Sequence, residues 1–267
     1  MTNDLSANAF FDLVQYEHRH LFSDHGSVWE GLKELKSYLA NYNWPTIPGW
    51  LPRNCPLDRV VVVHDGEFID GDTCEILWSD DGGRPAVRRE RRLLSGASVI
   101  MAGVVLAGDR FAFGNDVLIE SGAMVTGPVV VGDGSEIRQG AYIRGNCLFG
   151  RRCVIGHVTE VKHTIFLDDA KAGHFAYLGD SILGNQVNLG AGTKMANLRF
   201  IGGAVKVRTP SGAIDTGLRK FGAILGDGVQ TGCNSVTSPG TLLGKKSFLL
   251  PNVTSPSGFH PSHSVIR

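Results

Sequence analysis

The stretch FGNDVLIESGAMVTGPVVVGDGSEIRQGAYIRGNCLFGRRCVIGHVTEV, residues 113–161, decides the fold. An apolar residue recurs in it at every sixth position: Phe113, Ile119, Val125, Val131, Ile137, Ile143, Phe149, Ile155 and Val161. A helix would need apolar residues at intervals of three and four, and an ordinary strand at intervals of two. In a parallel β-helix, each hexad forms one side of a triangular coil and points its apolar residue inward. The period therefore predicts a mainly β protein built on such a coil, with three hexads in each turn.

Glycine supports this interpretation, because its 35 copies in 267 residues make up about 13% of the chain against a usual 7% or so, and coil corners need small residues. The hexad register resumes farther on, at Leu183, Leu189, Leu225, Thr231, Thr237, Leu243 and Leu249. Two interruptions separate these runs. Val161 and Leu183 are 22 residues apart, which is not a multiple of six, so a bulge or loop is expected within residues 163–181. A longer excursion, at about 195–222, is predicted to be a functional loop or a disordered surface loop.

The N-terminal third does not repeat. Residues 27–42 space apolar side chains at three and four and predict an amphipathic helix, and residues 59–79 predict two or three short strands with Asp-Gly and Gly-Asp turns. We expect a small α+β region over 1–96 and the β-helix over 97–267. The N-terminal region is expected to cap the end of the coil, although it could instead cover an acceptor site or recruit a separate nucleotidyltransferase.

Composition excludes several classes. Lys plus Arg and Asp plus Glu number 26 each, so no overall field favours nucleic acid or an anionic membrane. The five cysteines include no C-x-x-C pair, which argues against a disulfide framework or a structural zinc site. Since the N-terminus does not read as a signal peptide and no long apolar span follows, we expect a cytoplasmic protein.

Three motifs carry a family resemblance: GHVTEVK (156–162), KAGHFAYLGDS (171–181) and NQVNLGAGT (185–193). They resemble the acetyltransferase domain of the bifunctional N-acetylglucosamine-1-phosphate uridyltransferases, and ANLRF (196–200) is similar to the archaeal members. The resemblance covers about residues 100–250 and implies a left-handed coil, a homotrimer and a role in UDP-GlcNAc biosynthesis. Residues 1–95 contain no glycine-rich nucleotide loop, so nucleotidyltransferase activity is not expected.

The resemblance implies transfer of acetyl from acetyl-CoA to an amino-sugar phosphate. Such transfer needs a base for the amine proton, and a histidine, which ordinarily titrates near pH 6.5, suits that role. His174 matches the general base of the family, and Glu160 is a candidate to orient it. Arg144 and Lys162 match its phosphate-binding cations; their spacing of eighteen is expected to stack two positive charges that need an anion. Tyr177 and Asn188 complete the acceptor site that the resemblance implies.

For the coenzyme, the resemblance implies a site between subunits at Ala191 and Asn197. Arg219 and Lys220 are candidates to bind its phosphates. Leu198 and Cys233 depart from bacterial members, which have tyrosine and serine there, although Cys233 remains a candidate for this site. No resident metal is expected.

Two other functions stay open. A relative of the γ-class carbonic anhydrases would hold zinc with three histidines shared across a subunit boundary, and His157, His163 and His174 are the candidates. A catalytically silent solenoid could instead serve as an assembly or regulatory module. Metal analysis would discriminate the first, and coenzyme A binding without turnover would favour the second.

Overall fold

The computed structural model describes residues 4–23, 26–80 and 83–267. In the N-terminal region, the helices are α1 (Ala7–Phe10) and α2 (Glu30–Ala40), with single 3-10 turns at Arg19–Leu21 and Gly71–Thr73. Its strands are β1 (Val61–His64), β2 (Glu67–Asp70), β3 (Glu75–Leu77), β4 (Ala86–Arg89) and β5 (Arg92–Leu93).

The rest of the chain winds into a parallel β-helix with three faces. Face 1 contains β6 (Ser98–Ile100), β9 (Leu118–Ile119), β12 (Glu136–Ile137), β15 (Val154–His157), β18 (Lys171–His174), β21 (Asn188–Leu189), β26 (Gln230–Thr231), β29 (Phe248–Leu249) and β32 (Val265–Ile266). Face 2 contains β7 (Val105–Ala107), β10 (Met124–Thr126), β13 (Tyr142–Ile143), β16 (Glu160–Lys162), β19 (Tyr177–Gly179), β22 (Lys194–Met195), β27 (Val236–Thr237) and β30 (Thr254–Ser255). Face 3 contains β8 (Phe111–Phe113), β11 (Val129–Val131), β14 (Cys147–Phe149), β17 (Thr164–Phe166), β20 (Ile182–Leu183), β25 (Ala223–Leu225), β28 (Thr241–Leu243) and β31 (Gly258–His260).

The coil core is built from the predicted hexad residues. Ile137, Ile143, Phe149, Ile155 and Val161 are all fully buried in one cluster that runs along the axis. Burying each such side chain contributes roughly 1.5–3 kcal/mol. The predicted fold class, mainly β with a left-handed parallel β-helix, is confirmed.

The expected bulge between Val161 and Leu183 is wrong. The coil continues without interruption, and Val161 pairs with Leu178 while Phe166 pairs with Leu183, in each case 17 residues on rather than 18. The inward positions after Val161 are thus Phe166, Ala172, Leu178 and Leu183, and the steps from Val161 to Phe166 and from Leu178 to Leu183 are five residues long. The corners at His163 and Asp180, both at positive φ, make these shorter turns.

The second interruption is a hairpin rather than a coil. Strands β23 (Lys206–Thr209) and β24 (Gly212–Asp215) pair antiparallel, and the coil resumes at β25. Val205, Val207 and Phe221 are buried against the outside of face 3, so the excursion is anchored at its base.

The N-terminal region covers the β-helix in two places. Strand β1 pairs antiparallel with β6, which extends face 1 beyond the first coil and satisfies the strand edge there. Helices α1 and α2 pack on the outside of face 3, and α2 buries Leu32, Leu35 and Leu39 there. This helix begins three residues after the start of the predicted span 27–42 and ends two before its end. No helix in the described ranges is long and apolar enough to cross a bilayer.

Candidate active site

The three corners of the coil organise the site. The first corner joins face 1 to face 2, the second joins face 2 to face 3, and the third leads into the next coil. His174, Ala191 and Cys233 lie at the first corner, because each follows by two residues one of the mutually paired positions Ala172, Leu189 and Thr231. Glu160 and Tyr177 lie on face 2, while Arg144, Lys162 and Asn197 lie at its far edge, next to the second corner.

At the first corner, the imidazole of His174 is exposed and stacks on that of His157 in the preceding coil. The ring centroids are 5.8 Å apart with an interplanar angle of 28°, and the two residues pair in register. The next residue, Phe175, has a φ of 33° and a side chain 55% exposed. The corner therefore presents an imidazole and an aromatic ring to solvent.

On face 2, Tyr142, Glu160, Tyr177 and Lys194 form an outward row because they pair in register across four coils. The guanidinium of Arg144 donates to Glu160 Oε1 at 2.6 Å and lies 5.9 Å from the centroid of the Tyr142 ring. The hydrogen bond to Glu160 raises the pKa of Arg144. Glu160 is thus held by Arg144, and within the described ranges no hydrogen bond joins it to His174, contrary to the expected pairing. The reason is register, since Glu160 lies at the middle of face 2 and His174 at its edge.

At the second corner, Asp180 is the centre of a buried polar cluster. It is 5% exposed; Oδ1 lies 2.9 Å from His163 Nδ1, and Oδ2 accepts from Asn197 Nδ2 at 2.5 Å. Lys162 Nζ lies 3.8 Å from Oδ2. Burial by itself would raise the pKa of Asp180, but the hydrogen bonds from His163 and Asn197 outweigh it and leave the pKa below its usual value. Asp180 is therefore a carboxylate at neutral pH.

The same cluster reaches face 2 through Tyr177, whose hydroxyl lies 3.4 Å from Asn197 Oδ1. Partial burial, followed by the charges of Glu160 and Asp180, raises the pKa of Tyr177. Gly179 makes this approach possible, since a Cβ there would lie 2.4 Å from Asn197 Nδ2 and 2.8 Å from the Tyr177 hydroxyl. Sequence reasoning missed Gly179 and Asp180, although both stand in the quoted motif KAGHFAYLGDS.

The two predicted phosphate-binding cations are not a bare pair of positive charges. Arg144 is paired with Glu160 and Lys162 faces Asp180, so each already has a carboxylate neighbour. The Arg144–Glu160 pair is 41% and 36% exposed at its side chains, and an exposed pair of this kind contributes at most about 1 kcal/mol. An incoming phosphate could take over the guanidinium at little cost.

Three predicted residues lie apart from this group. Asn188 is exposed on face 1, in register with Lys171 and Gln230, so it and Tyr177 belong to different faces. Arg219 and Lys220 are exposed where the excursion returns to the coil, and Lys220 forms a bridge with Leu198. His163 lies at the second corner, away from His157 and His174, and the described residues contain no group of three or more His, Cys, Asp or Glu side chains that could hold a metal.

A cavity of about 670 Å³ opens between the excursion and face 2, beside Asn197. Arg199, Lys206 and Arg208 line it together with apolar side chains that include Leu198 and Val205. Its volume is within the range of small-molecule sites, roughly 300–1,000 Å³. The sequence gave no signal for this cavity beyond the basic residues of the excursion.

Taken together, the coil and its corners define a hexapeptide-repeat β-helix. Residues 125–248 match the family model for the GMPPB C-terminal domain. The C-terminal part of the chain is homologous to the bifunctional sugar-phosphate nucleotidyltransferase/acetyltransferases, and the predicted family is confirmed there.

Two curated relatives show how far the likeness extends. The bifunctional sugar-1-phosphate nucleotidylyltransferase/acetyltransferase of Sulfurisphaera tokodaii is 40% identical over 151 residues, which are 50% of this chain and 38% of the relative. The bifunctional protein GlmU of Methanococcus aeolicus is 32% identical over 152 residues, 50% of this chain and 37% of the relative. The chain therefore matches well under half the length of either relative.

Among solved structures, a GDP-perosamine N-acetyl transferase variant from Caulobacter crescentus, in complex with CoA and GDP-perosamine, aligns with 17% identity and a TM-score of 0.28. The alignment covers 60% of this chain and 52% of that one.

Proposed function

We propose that the β-helix transfers an acetyl group from acetyl-CoA to the amine of an amino-sugar phosphate, such as glucosamine 1-phosphate, or of a nucleotide-linked amino sugar. The observation that carries the proposal is the arrangement on face 2. An exposed imidazole stands at one edge, a tyrosine in the middle and two cations at the other edge. His174 and Tyr177 are three residues apart, so their Cα atoms are at most about 11 Å apart.

In the proposed reaction, His174 accepts the proton of the amine as its nitrogen attacks the acetyl carbonyl carbon. A C–N bond forms, the C–S bond of the thioester breaks, and the proton held by His174 passes to the departing thiolate. Arg144 and Lys162 bind the sugar phosphate, and the exchange of Glu160 for phosphate orients the guanidinium. Glu160 therefore acts through Arg144 rather than through His174.

The coenzyme is proposed to bind along the coils that follow His174, at Ala191, Cys233 and Asn197. The homology to named acetyltransferases supports acetyl-CoA as the donor. Arg219, Lys220 and the basic residues of the neighbouring cavity offer partners for its phosphates.

We propose a homotrimer because Asn188 lies on face 1 and Tyr177 on face 2, so that one copy could supply Asn188 beside the Tyr177 of another. Helices α1 and α2 cover face 3, which leaves the greater part of faces 1 and 2 open to a neighbouring copy.

The test is release of free coenzyme A thiol from acetyl-CoA with glucosamine 1-phosphate as acceptor. Replacing His174 by Ala is expected to lower kcat by about 10²–10⁴-fold, the usual contribution of a general base. His263→Ala is the matched control, since His263 is exposed in the last coil, and it should keep native turnover. Coenzyme A binding by the native chain, with no turnover on any amino sugar, would instead support a silent module.

A further inference from the structure

The buried cluster at the second corner has no part in the proton transfer, yet it touches two residues of the proposed site. Asp180 binds the Asn197 carboxamide, and the Asn197 carboxamide contacts the Tyr177 hydroxyl. We propose that Asp180 is a positioning residue that fixes Asn197, and through it Tyr177, for binding of the acyl donor. The inference rests on the proposed function, in which Asn197 contacts the coenzyme.

The charge of Asp180 determines which way the Asn197 amide points. An ionised carboxylate only accepts hydrogen bonds, so the group of Asn197 that faces it at 2.5 Å must be the NH₂. The carbonyl oxygen of the amide then faces Tyr177. The Tyr177 hydroxyl spends its single proton on that oxygen, at 3.4 Å, and keeps its lone pairs for the ligand. The bound group at Tyr177 is therefore an N–H or O–H donor.

Burial makes this arrangement rigid. Asp180 and Asn197 are 5% and 9% exposed, and a hydrogen bond to a buried charged group is stronger than one between neutral groups. His163 holds the second carboxylate oxygen from the preceding coil, so the Asp180 side chain has one position. Asn197 also accepts from the Phe221 amide through its backbone carbonyl, and thus Asp180 anchors the point where the excursion leaves and rejoins the coil.

Asp168 provides a matched comparison within the same chain. It is buried to a similar degree, at 7% exposed, and its carboxylate accepts from the Arg151 backbone amide and guanidinium. Asp168 lies at the third corner, beneath the N-terminal segment, and touches no residue of the proposed site. Both aspartates tie neighbouring coils together, but only Asp180 is placed to affect ligand binding.

The experiment compares Asp180→Ala, Asn197→Ala, the double variant and the control Asp168→Ala by steady-state kinetics and thermal unfolding. We expect each of the first two to raise KM for acetyl-CoA about tenfold, because a hydrogen bond to a charged group contributes roughly 1.5–3 kcal/mol. The double variant should raise KM no further, since Asp180 acts through Asn197. Asp168→Ala should lower Tm but leave KM within about twofold of the native value.

A native KM in folded Asp180→Ala, or a double variant whose effect equals the product of the two single effects, would overturn the inference. Should Asp180→Ala not fold, Gly179→Ala serves instead. It retains the carboxylate but pushes a methyl group into the Asn197 amide, and we expect the same rise in KM; a native KM in that variant would also overturn the inference.

The same variants separate this inference from the proposed function. If the native chain binds coenzyme A without turning over any amino sugar, the function fails, and calorimetric Kd values for coenzyme A take the place of KM with the same expected pattern. If the native chain binds no coenzyme A, both fail together.

Discussion

Faces 2 and 3 are made by the same coil, yet their outward rows differ in chemistry. The outward row of face 3 is apolar throughout and consists of Ala112, Val130, Leu148, Ile165, Ile182, Ile224 and Leu242. The outward row of face 2 includes Tyr142, Glu160, Tyr177 and Lys194. Face 3 is covered by α1, α2 and the base of the excursion, whereas face 2 is open. The inward residues make the coil, and the outward residues decide what each face binds.

Both faces depend on the corners, so a corner defect should have the largest effect. A Cβ at Gly156 would lie 1.6 Å from the carbonyl oxygen of Gly173 in the next coil, and backbone cannot move aside cheaply. We expect Gly156→Ala to lower the free energy of unfolding by several kcal/mol, comparable with severe overpacking, or to prevent folding. Chemical denaturation measures this.

Gly173→Ala is the control for that variant, because a Cβ at Gly173 meets nothing within 4 Å. It should unfold within about 0.5 kcal/mol of the native chain. Equal stability of the two alanine variants would show that the stacked corners do not restrict side-chain size.

Leu148 and Met124 compare the covered face with the open one. Leu148 is fully buried beneath the N-terminal region, and Met124 is 37% exposed on face 2. We expect Leu148→Ala to lower the free energy of unfolding by about 2–5 kcal/mol, and Met124→Ala to lower it by much less. Both should keep native KM values, and similar losses of stability would contradict the difference between the faces.

The cover on face 3 should also respond to pH. His18 is buried, with Nδ1 2.8 Å from the Tyr38 hydroxyl, and burial lowers its pKa against the opposing charges of Glu17 and Asp168. The unfolded chain then takes up this proton at a higher pH than the folded chain. The contribution of His18 to stability is therefore full above about pH 6.5 and falls as the pH drops below it, by at most about 1.4 kcal/mol per pH unit.

Denaturation of the native chain and of His18→Gln at pH 7.5 and pH 5.5 tests this prediction. The variant should lose less stability between the two values than the native chain does. An identical loss in both proteins would exclude His18 as the source.

The smallest effect is expected on the open face, at the Arg144–Glu160 pair. Glu160→Gln should change the free energy of unfolding by less than about 1 kcal/mol. It frees the guanidinium of Arg144 for phosphate, so KM for the amino-sugar phosphate should fall a few-fold. Glu136→Gln is the control, because Glu136 pairs with Arg138 at 2.9 Å on face 1. A raised acceptor KM in Glu160→Gln would assign Glu160 to the sugar itself.

The sequence predicted the inward row well and the turns poorly. Hexad spacing determines which side chains stack, so Phe149, Ile155 and Val161 were identifiable from period alone. The shortened corners at His163 and Asp180 were not, because a turn of one residue fewer changes the spacing in the same way as a loop does. The partners of Arg144 and Lys162 were missed for a related reason: their carboxylates come from neighbouring coils, and the pairing depends on the 17-residue register.

Transfer of labelled acetyl from acetyl-CoA to glucosamine 1-phosphate, followed by mass spectrometry of the sugar for the native chain and for His174→Ala, tests the central claim most directly. The account predicts N-acetylated sugar from the native chain and a rate lower by at least about 10² in the variant. Equal rates in the two proteins would contradict His174 as the base, and acetylated sugar from neither, across a panel of amino-sugar phosphates and nucleotide-linked amino sugars, would contradict the proposed activity.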